Sequence, residues 1–127
     1  MKMFGIGIDV VEVERIASSM AEFGERFATR IFTENERAYC EAQKRPEIHY
    51  AARFAAKEAV AKAFGTGIGK ELGWLDMEII RKDSGEPALV LSGAGKAFAV
   101  ANGIAEVKIS LSHAHHYAAA NAVALGD

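Results

Sequence analysis

The run Phe4-Gly5-Ile6-Gly7-Ile8-Asp9-Val10 sets large apolar side chains against Gly5, Gly7 and Asp9 in strict alternation. That period of two belongs to a half-buried strand. One face of the strand carries little but backbone, and Asp9 is the polar group placed on it. A carboxylate there is either a metal ligand or the N-cap of a following helix, and the residues alone leave both open.

Residues 12–20 space Val13, Ile16 and Met20 as a helix does, and Phe23 and Phe27 extend that face into a second short helix. Thr33-Glu34-Asn35-Glu36 is a capping box that starts another helix, which Pro46 must end at the latest. Residues 47–64, rich in alanine and closed by Gly65, form the strongest helix of the chain. The Gly65-Thr66-Gly67-Ile68-Gly69 turn follows. Residues 77–81 and 88–91 are predicted as an antiparallel hairpin around Asp83-Ser84-Gly85-Glu86-Pro87. Ser92 is placed to cap a helix with residues 96–101 as its interior, and residues 107–112 alternate as a strand. Residues 118–124 have helical propensity, yet their short link to a strand invites a returning hairpin, so pattern leaves both open. No repeat, linker or charge block divides the chain, which is expected to be one α+β domain over residues 1–127.

Composition narrows the function classes. A chain of 127 residues, half apolar and a quarter charged, suits one globular domain with its own core. The formal charge of −2 lacks the basic excess that nonspecific nucleic-acid binding requires. Cys40, the only cysteine, cannot form an intramolecular disulfide, and no apolar stretch approaches the ~20 residues of a membrane span. A cytoplasmic protein with neither nucleic-acid nor membrane partners is expected.

The chemistry concentrates in Arg53-Phe54-Ala55-Ala56-Lys57-Glu58-Ala59-Val60-Ala61-Lys62. Glu58 and Lys62 stand one turn apart on a helix face, and Arg53 and Lys57 repeat the spacing on a neighbouring face. The bland account is a solvated pair contributing a few tenths of a kcal/mol. Against it stands the triple-glycine turn just beyond, whose backbone amides could approach phosphate. That turn is no Walker A loop, since Phe64 occupies the first glycine position and Glu71 replaces Ser or Thr. Asp9 and Glu58 together would suit Mg²⁺, which takes one or two carboxylates plus phosphate oxygens and water. His113 and His115 could share a strand face as metal ligands, but without a third ligand at a recognisable distance a dedicated zinc site is disfavoured. His113 beside serines reads better as a phosphate partner, and Cys40 as a buried thiol.

Four ordered blocks, Gly5-Ile6-Gly7-Ile8-Asp9, Arg53 to Ala59 with Lys62, Ala63 to Gly69, and Ser110-Leu111-Ser112-His113, together resemble the holo-acyl-carrier-protein synthase family of small bacterial 4'-phosphopantetheinyl transferases. The likeness implies transfer of phosphopantetheine from coenzyme A to a serine of acyl carrier protein, with Mg²⁺. It implies Asp9 and Glu58 as metal ligands, Lys62 beside the transferred phosphate, and Glu58 as proton acceptor, directly or through water. Arg53, Gly65, Gly67 and His113 become contacts to coenzyme A. The resemblance also implies a strand over residues 117–123, an antiparallel sheet packed against helices, and a homotrimer with sites between subunits. Arg15, with Arg26 and Arg30, would meet the acidic carrier, although Glu22 and Glu25 dilute that patch. Two alternatives stand beside this: a noncatalytic carrier-protein or nucleotide-binding module, and a metal sensor built on His113, His115 and His116.

Overall fold

The computed structural model describes the whole chain, Met1–Asp127. Strand β1 (Lys2–Glu12) leads directly into helix α1 (Val13–Phe23), followed by α2 (Glu25–Ile31), α3 (Glu34–Glu41) and the long α4 (Pro46–Phe64). A 3-10 turn, Trp74–Asp76, precedes the hairpin of β2 (Met77–Arg81) and β3 (Pro87–Leu91). Helix α5 (Gly93–Ala101) and strands β4 (Ile104–His113) and β5 (Tyr117–Gly126) complete an α+β fold. Two antiparallel sheets result, β1-β5-β4 and β2-β3.

Strand β5 forms against its own helical propensity because β1 and β4 pair with it on both sides. Ala118, Ala120, Ala122 and Ala124 then alternate onto one face, each at most 1% exposed. Short side chains on that face let α4 pack closely, and α4 is itself built largely of alanine.

The glycines of β1 serve the same approach. A Cβ at Gly5 would stand 1.9 Å from the Ala63 carbonyl oxygen, and one at Gly7 would stand 2.0 Å from that of Ala59. The buried face of β1 is therefore the glycine face. Ile6, Ile8 and Val10 point away from α4 and remain 62%, 59% and 60% exposed. The 7148 Å² of accessible surface exceeds the ~6,500 Å² expected for a monomer of this mass, consistent with an uncovered apolar face.

Local rules held at most boundaries. The Thr33 hydroxyl accepts from the Glu36 amide while Glu36 accepts from the Thr33 amide, completing the capping box. Gly65 ends α4 at φ 80°, in the left-handed region. Ser92 occupies the N-cap of α5, but its side chain does not cap; Asp76 accepts the Gly95 amide at 3.2 Å instead. The Asp76 carboxylate also accepts from Gly73, so one residue ties the 3-10 turn to α5.

The core has two parts. One lies between α4, the alanine face of the large sheet and the hairpin; the other joins α1, α2 and α3 to the first half of α4. Both Arg53 and Lys57 are buried rather than solvated, because α4 is packed on several sides. Lys57 Nζ donates to Glu36 Oε1 at 2.7 Å, to the Ile31 carbonyl at 2.7 Å and to the Trp74 carbonyl at 3.1 Å. Glu36 Oε2 accepts from the Ile79 amide at 2.7 Å, so the buried ion pair is also hydrogen-bonded throughout.

Candidate active site

Asp9 sits in mid-strand, four residues before the start of α1, whose N-cap is Glu12. The helix-cap account of Asp9 therefore fails. Its glycine-bared face lies on α4, so its side chain comes beside residues of that helix one and two turns after Phe54. Phe54, Glu58 and Lys62 follow one another at intervals of four along a single stripe of α4.

Lys62 Nζ donates to Asp9 Oδ1 at 3.1 Å and to the Ile8 carbonyl at 2.9 Å, reaching to β1 rather than back to Glu58. Asp9 and Glu58 line the same concavity of about 230 Å³, together with Arg15, Ser19, Phe27 and Phe54. Partial burial holds the Glu58 carboxyl above the usual carboxylate range, Asp9 adds to the rise, and Lys62 offsets part of it. Asp9 and Glu58 thus share an opening with the Arg15 guanidinium, and the Lys62 ammonium pairs with Asp9. A hard divalent cation fits that donor set: carboxylate oxygens from Asp9 and Glu58, no nitrogen or sulfur ligand, and space for phosphate oxygens and water.

Arg53 and His113 meet in a different cleft. It holds about 130 Å³, shares no lining residue with the first, and is walled by Tyr39, His49, Arg81 and Pro87. The Arg53 guanidinium lies 4.2 Å from the Tyr39 ring centroid, and its buried Nε has no partner. Arg81 donates to the Tyr39 hydroxyl at 2.6 Å. His49 and His113 pack edge to face at 5.5 Å. Burial, followed by His113, Arg53 and Arg81, holds His49 below the usual histidine range. No carboxylate lines this cleft, and the Arg53 and Arg81 guanidinium groups on its wall suit an anion. Tyr39, His49 and Arg81 were missed from sequence; only the four-residue spacing of His49 and Arg53 on α4 hinted at them.

The glycine turn is corrected. The amides of Gly65, Gly67 and Gly69 donate to Ala61, Ala61 and Leu72 respectively, so those three N–H groups do not form a phosphate cradle. What Gly65 and Gly67 provide is an uncrowded turn beside Lys62, with nothing within 4 Å of either Cβ position.

A third concavity, of about 500 Å³, adjoins the first through Phe27 and is lined by Phe23, Arg26, Arg30, Ile31 and Trp74. Arg15, Arg26 and Arg30 thus stand along one continuous face, and Glu22 and Glu25 line neither hollow. Trp74 is half-buried on the groove wall and stacked on Phe54.

Other sequence candidates go elsewhere. His115 meets Arg45 at 3.0 Å and His116 meets Glu14 at 3.0 Å, both in the turn beyond the end of β4, so His113 and His115 do not share a strand face. Cys40 is fully buried, and burial pushes its thiol up to about 12, which leaves it inert as a nucleophile. The largest hollow, about 660 Å³ between β3, α5 and β4, contains none of the predicted site residues. Its rim mixes Lys82, Lys96 and Lys108 with Glu86 and Glu106.

Comparison with known proteins agrees with this fold. Residues 5–121 match the 4'-phosphopantetheinyl transferase superfamily. The holo-acyl-carrier-protein synthase of Chlamydia trachomatis is 49% identical over 122 residues, 96% of this chain and 99% of that protein. The protein of that name from Ruminiclostridium cellulolyticum is 48% identical over 124 residues, 96% of this chain and 92% of its own. Among solved structures, the holo-acyl-carrier-protein synthase of Neisseria meningitidis superposes with a TM-score of 0.91 at 35% identity, covering 97% of this chain and 98% of that one. The Helicobacter pylori enzyme, solved in complex with coenzyme A, gives 0.85 at 33% identity over 94% and 99% of the two chains. With the sequence blocks, the fold and the full-length relatives in agreement, the chain belongs to the 4'-phosphopantetheinyl transferase superfamily, in its holo-acyl-carrier-protein synthase family.

Proposed function

We propose that this chain transfers the 4'-phosphopantetheine arm of coenzyme A to a serine of apo-acyl carrier protein, with Asp9 and Glu58 holding Mg²⁺ and adenosine 3',5'-bisphosphate as the second product. One observation carries this reading: Asp9 and Glu58, drawn from two distant segments, line one opening, and Lys62 pairs with Asp9 at 3.1 Å. When bound there, Mg²⁺ would neutralise phosphate oxygens as charge develops on them.

The chain's own residues have distinct tasks. The serine oxygen attacks the β-phosphorus, a new P–O bond forms, and the P–O bond to the bisphosphate leaving group breaks. Lys62, half-exposed beside Asp9, is positioned to turn its ammonium onto the transferred phosphoryl oxygens. Glu58 takes the serine proton, directly or through water, and its raised proton affinity suits that role. Gly65 and Gly67 keep the turn next to Lys62 free of side chains, which gives the cofactor phosphates room.

Arg53 and His113 supply a separate anion cleft for the nucleotide phosphates. Since that cleft shares no lining residue with the carboxylate site, a neighbouring subunit is the natural source of the second half of each complete site. The outward apolar face of Ile6, Ile8 and Val10 supports a homotrimer. In sedimentation, Ile8→Glu is expected to yield monomers with little activity; active monomers would refute the shared site. Arg15, with Arg26 and Arg30, meets the acidic carrier along the groove that leads to Glu58. No helix is long and apolar enough to cross a membrane, and we place the reaction in the cytoplasm, where coenzyme A is available.

The deciding experiment mixes the protein with coenzyme A, Mg²⁺ and apo-carrier and weighs the carrier. A phosphopantetheine mass increment that Asp9→Asn abolishes is the expected result. No increment with the unaltered protein would favour a noncatalytic module.

A further inference from the structure

Lys57 is the buried charged residue of α4 that the reaction does not use. Its side chain is completely buried, and its three N–H groups are committed to Glu36 and to the carbonyls of Ile31 and Trp74. Ile31 is the last residue of α2, so its carbonyl has no following helical turn to satisfy it. Both carbonyl partners belong to residues that line the arginine-rimmed groove.

From the ammonium, two lines of contact reach the passage between that groove and the carboxylates. The Phe32 ring centroid is 5.6 Å from Nζ, and Phe32 meets Phe27 edge on at 6.5 Å. Phe27 lines both hollows. On the other side, Trp74 stacks on Phe54 at 5.2 Å, and Phe54 lines the hollow of Asp9 and Glu58. An apolar side chain of similar volume would fill the space without tying α2 to the Trp74 turn.

We propose that Lys57 is a positioning residue for carrier recognition: it ties the Ile31 and Trp74 carbonyls to Glu36 and so fixes the distance between the two walls of the groove. The proposal rests on reading that groove as the carrier's docking face. It separates Lys57 from its neighbour Glu58. Glu58 acts at the reacting atoms, whereas Lys57 governs how well the carrier fits before reaction.

The test uses Lys57→Met/Glu36→Gln, which removes both charges together and leaves no unpaired ion in the core. Steady-state rates are measured with apo-carrier and coenzyme A varied separately. Acrylamide quenching of Trp74, the only tryptophan of the chain, reports the groove wall in the free protein. The expected result is a rise of about tenfold in KM for the carrier, KM for coenzyme A within about twofold, and stronger quenching of Trp74. Losses shared equally between both substrates, in step with a lowered Tm, would reduce Lys57 to a stabiliser and overturn the proposal. Should the double variant fail to fold, Lys57→Arg, which keeps a buried cation, carries the same measurements.

Arg26→Glu distinguishes the two levels of the argument. If it leaves the carrier KM unchanged, the docking face is wrong and the role of Lys57 falls with it. If Arg26→Glu raises that KM and the Lys57 variants do not, the docking face stands and Lys57 alone is misassigned.

Discussion

Helix α4 carries two acid–lysine pairs five residues apart, and they differ in nearly every physical respect. Lys57 meets Glu36 at 2.7 Å with both side chains 0% exposed, whereas Lys62 meets Asp9 at 3.1 Å with side chains 52% and 17% exposed. The inner pair is balanced, one cation to one anion, and backbone groups satisfy what remains. The outer pair is open, and Glu58 and Arg15 bring a second carboxylate and a second cation to the opening that Asp9 lines. Charge that is sealed and satisfied holds a shape; charge that is open to solvent is available to a ligand. Adjacent residues, Lys57 and Glu58, fall on opposite sides of that division because 100° of helical rotation separates them.

The largest effects should separate the pairs cleanly. Asp9→Asn and Glu58→Gln are expected to lower the rate of carrier modification by about a thousandfold or more while the protein stays folded. Lys57→Met should instead destabilise by about 3–5 kcal/mol, because it strands the Glu36 carboxylate in the core. Initial rates from the carrier's mass and unfolding curves in urea provide both numbers. An outer-pair variant that unfolds, or an inner-pair variant as stable as the parent, would erase the distinction.

Much of this architecture was legible where the rule is local. The capping box at Thr33, the left-handed Gly65 and the turn at Gly85 each depend on a few neighbouring residues, and each formed as expected. Elements that depend on partners were harder. Residues 118–124 form a strand only because β1 and β4 flank them, and family resemblance rather than propensity pointed to it. The alternation of β1 was plain, but which face is buried depends on α4 presenting carbonyls where a Cβ would collide. In the site, Asp9, Glu58 and Lys62 could be picked out by residue type and family blocks. The Arg53 cleft could not be completed, since Tyr39, His49 and Arg81 come from α3, α4 and β2 with no common spacing. The burial of Lys57 was not legible, because it is caused by α2, α3 and the Trp74 turn, none of them adjacent to it in sequence.

Lys62 offers a smaller and sharper test of the outer pair. Lys62→Ala should reduce kcat by about a hundredfold, since an ammonium aimed at developing phosphate charge acts in the transition state. Its half-exposed pair with Asp9 contributes at most about 0.5 kcal/mol to stability, so unfolding should shift little. A rate loss confined to KM for the carrier would place Lys62 with the docking arginines rather than beside the phosphate.

The smallest effect concerns pH and reports the coupling of Asp9 and Glu58 without any turnover. Folding raises the Glu58 pKa above its ordinary value of 4.5, through partial burial first and Asp9 second. The folded protein therefore binds that proton more tightly than the unfolded chain, so the contribution of Glu58 is fully favourable below about pH 4.5 and is lost as pH rises through the raised value. Glu58→Gln stays neutral throughout. Its Tm should match the parent in acid and exceed it near neutrality, by no more than about 2 °C because much of the carboxyl remains solvated. Mg²⁺ should close or reverse that gap by stabilising only the parent, which retains both carboxylates. Parallel Tm profiles from pH 4 to 8, unmoved by Mg²⁺, would show that Asp9 and Glu58 do not share a charge environment, and the outer pair would then be as inert as the inner one.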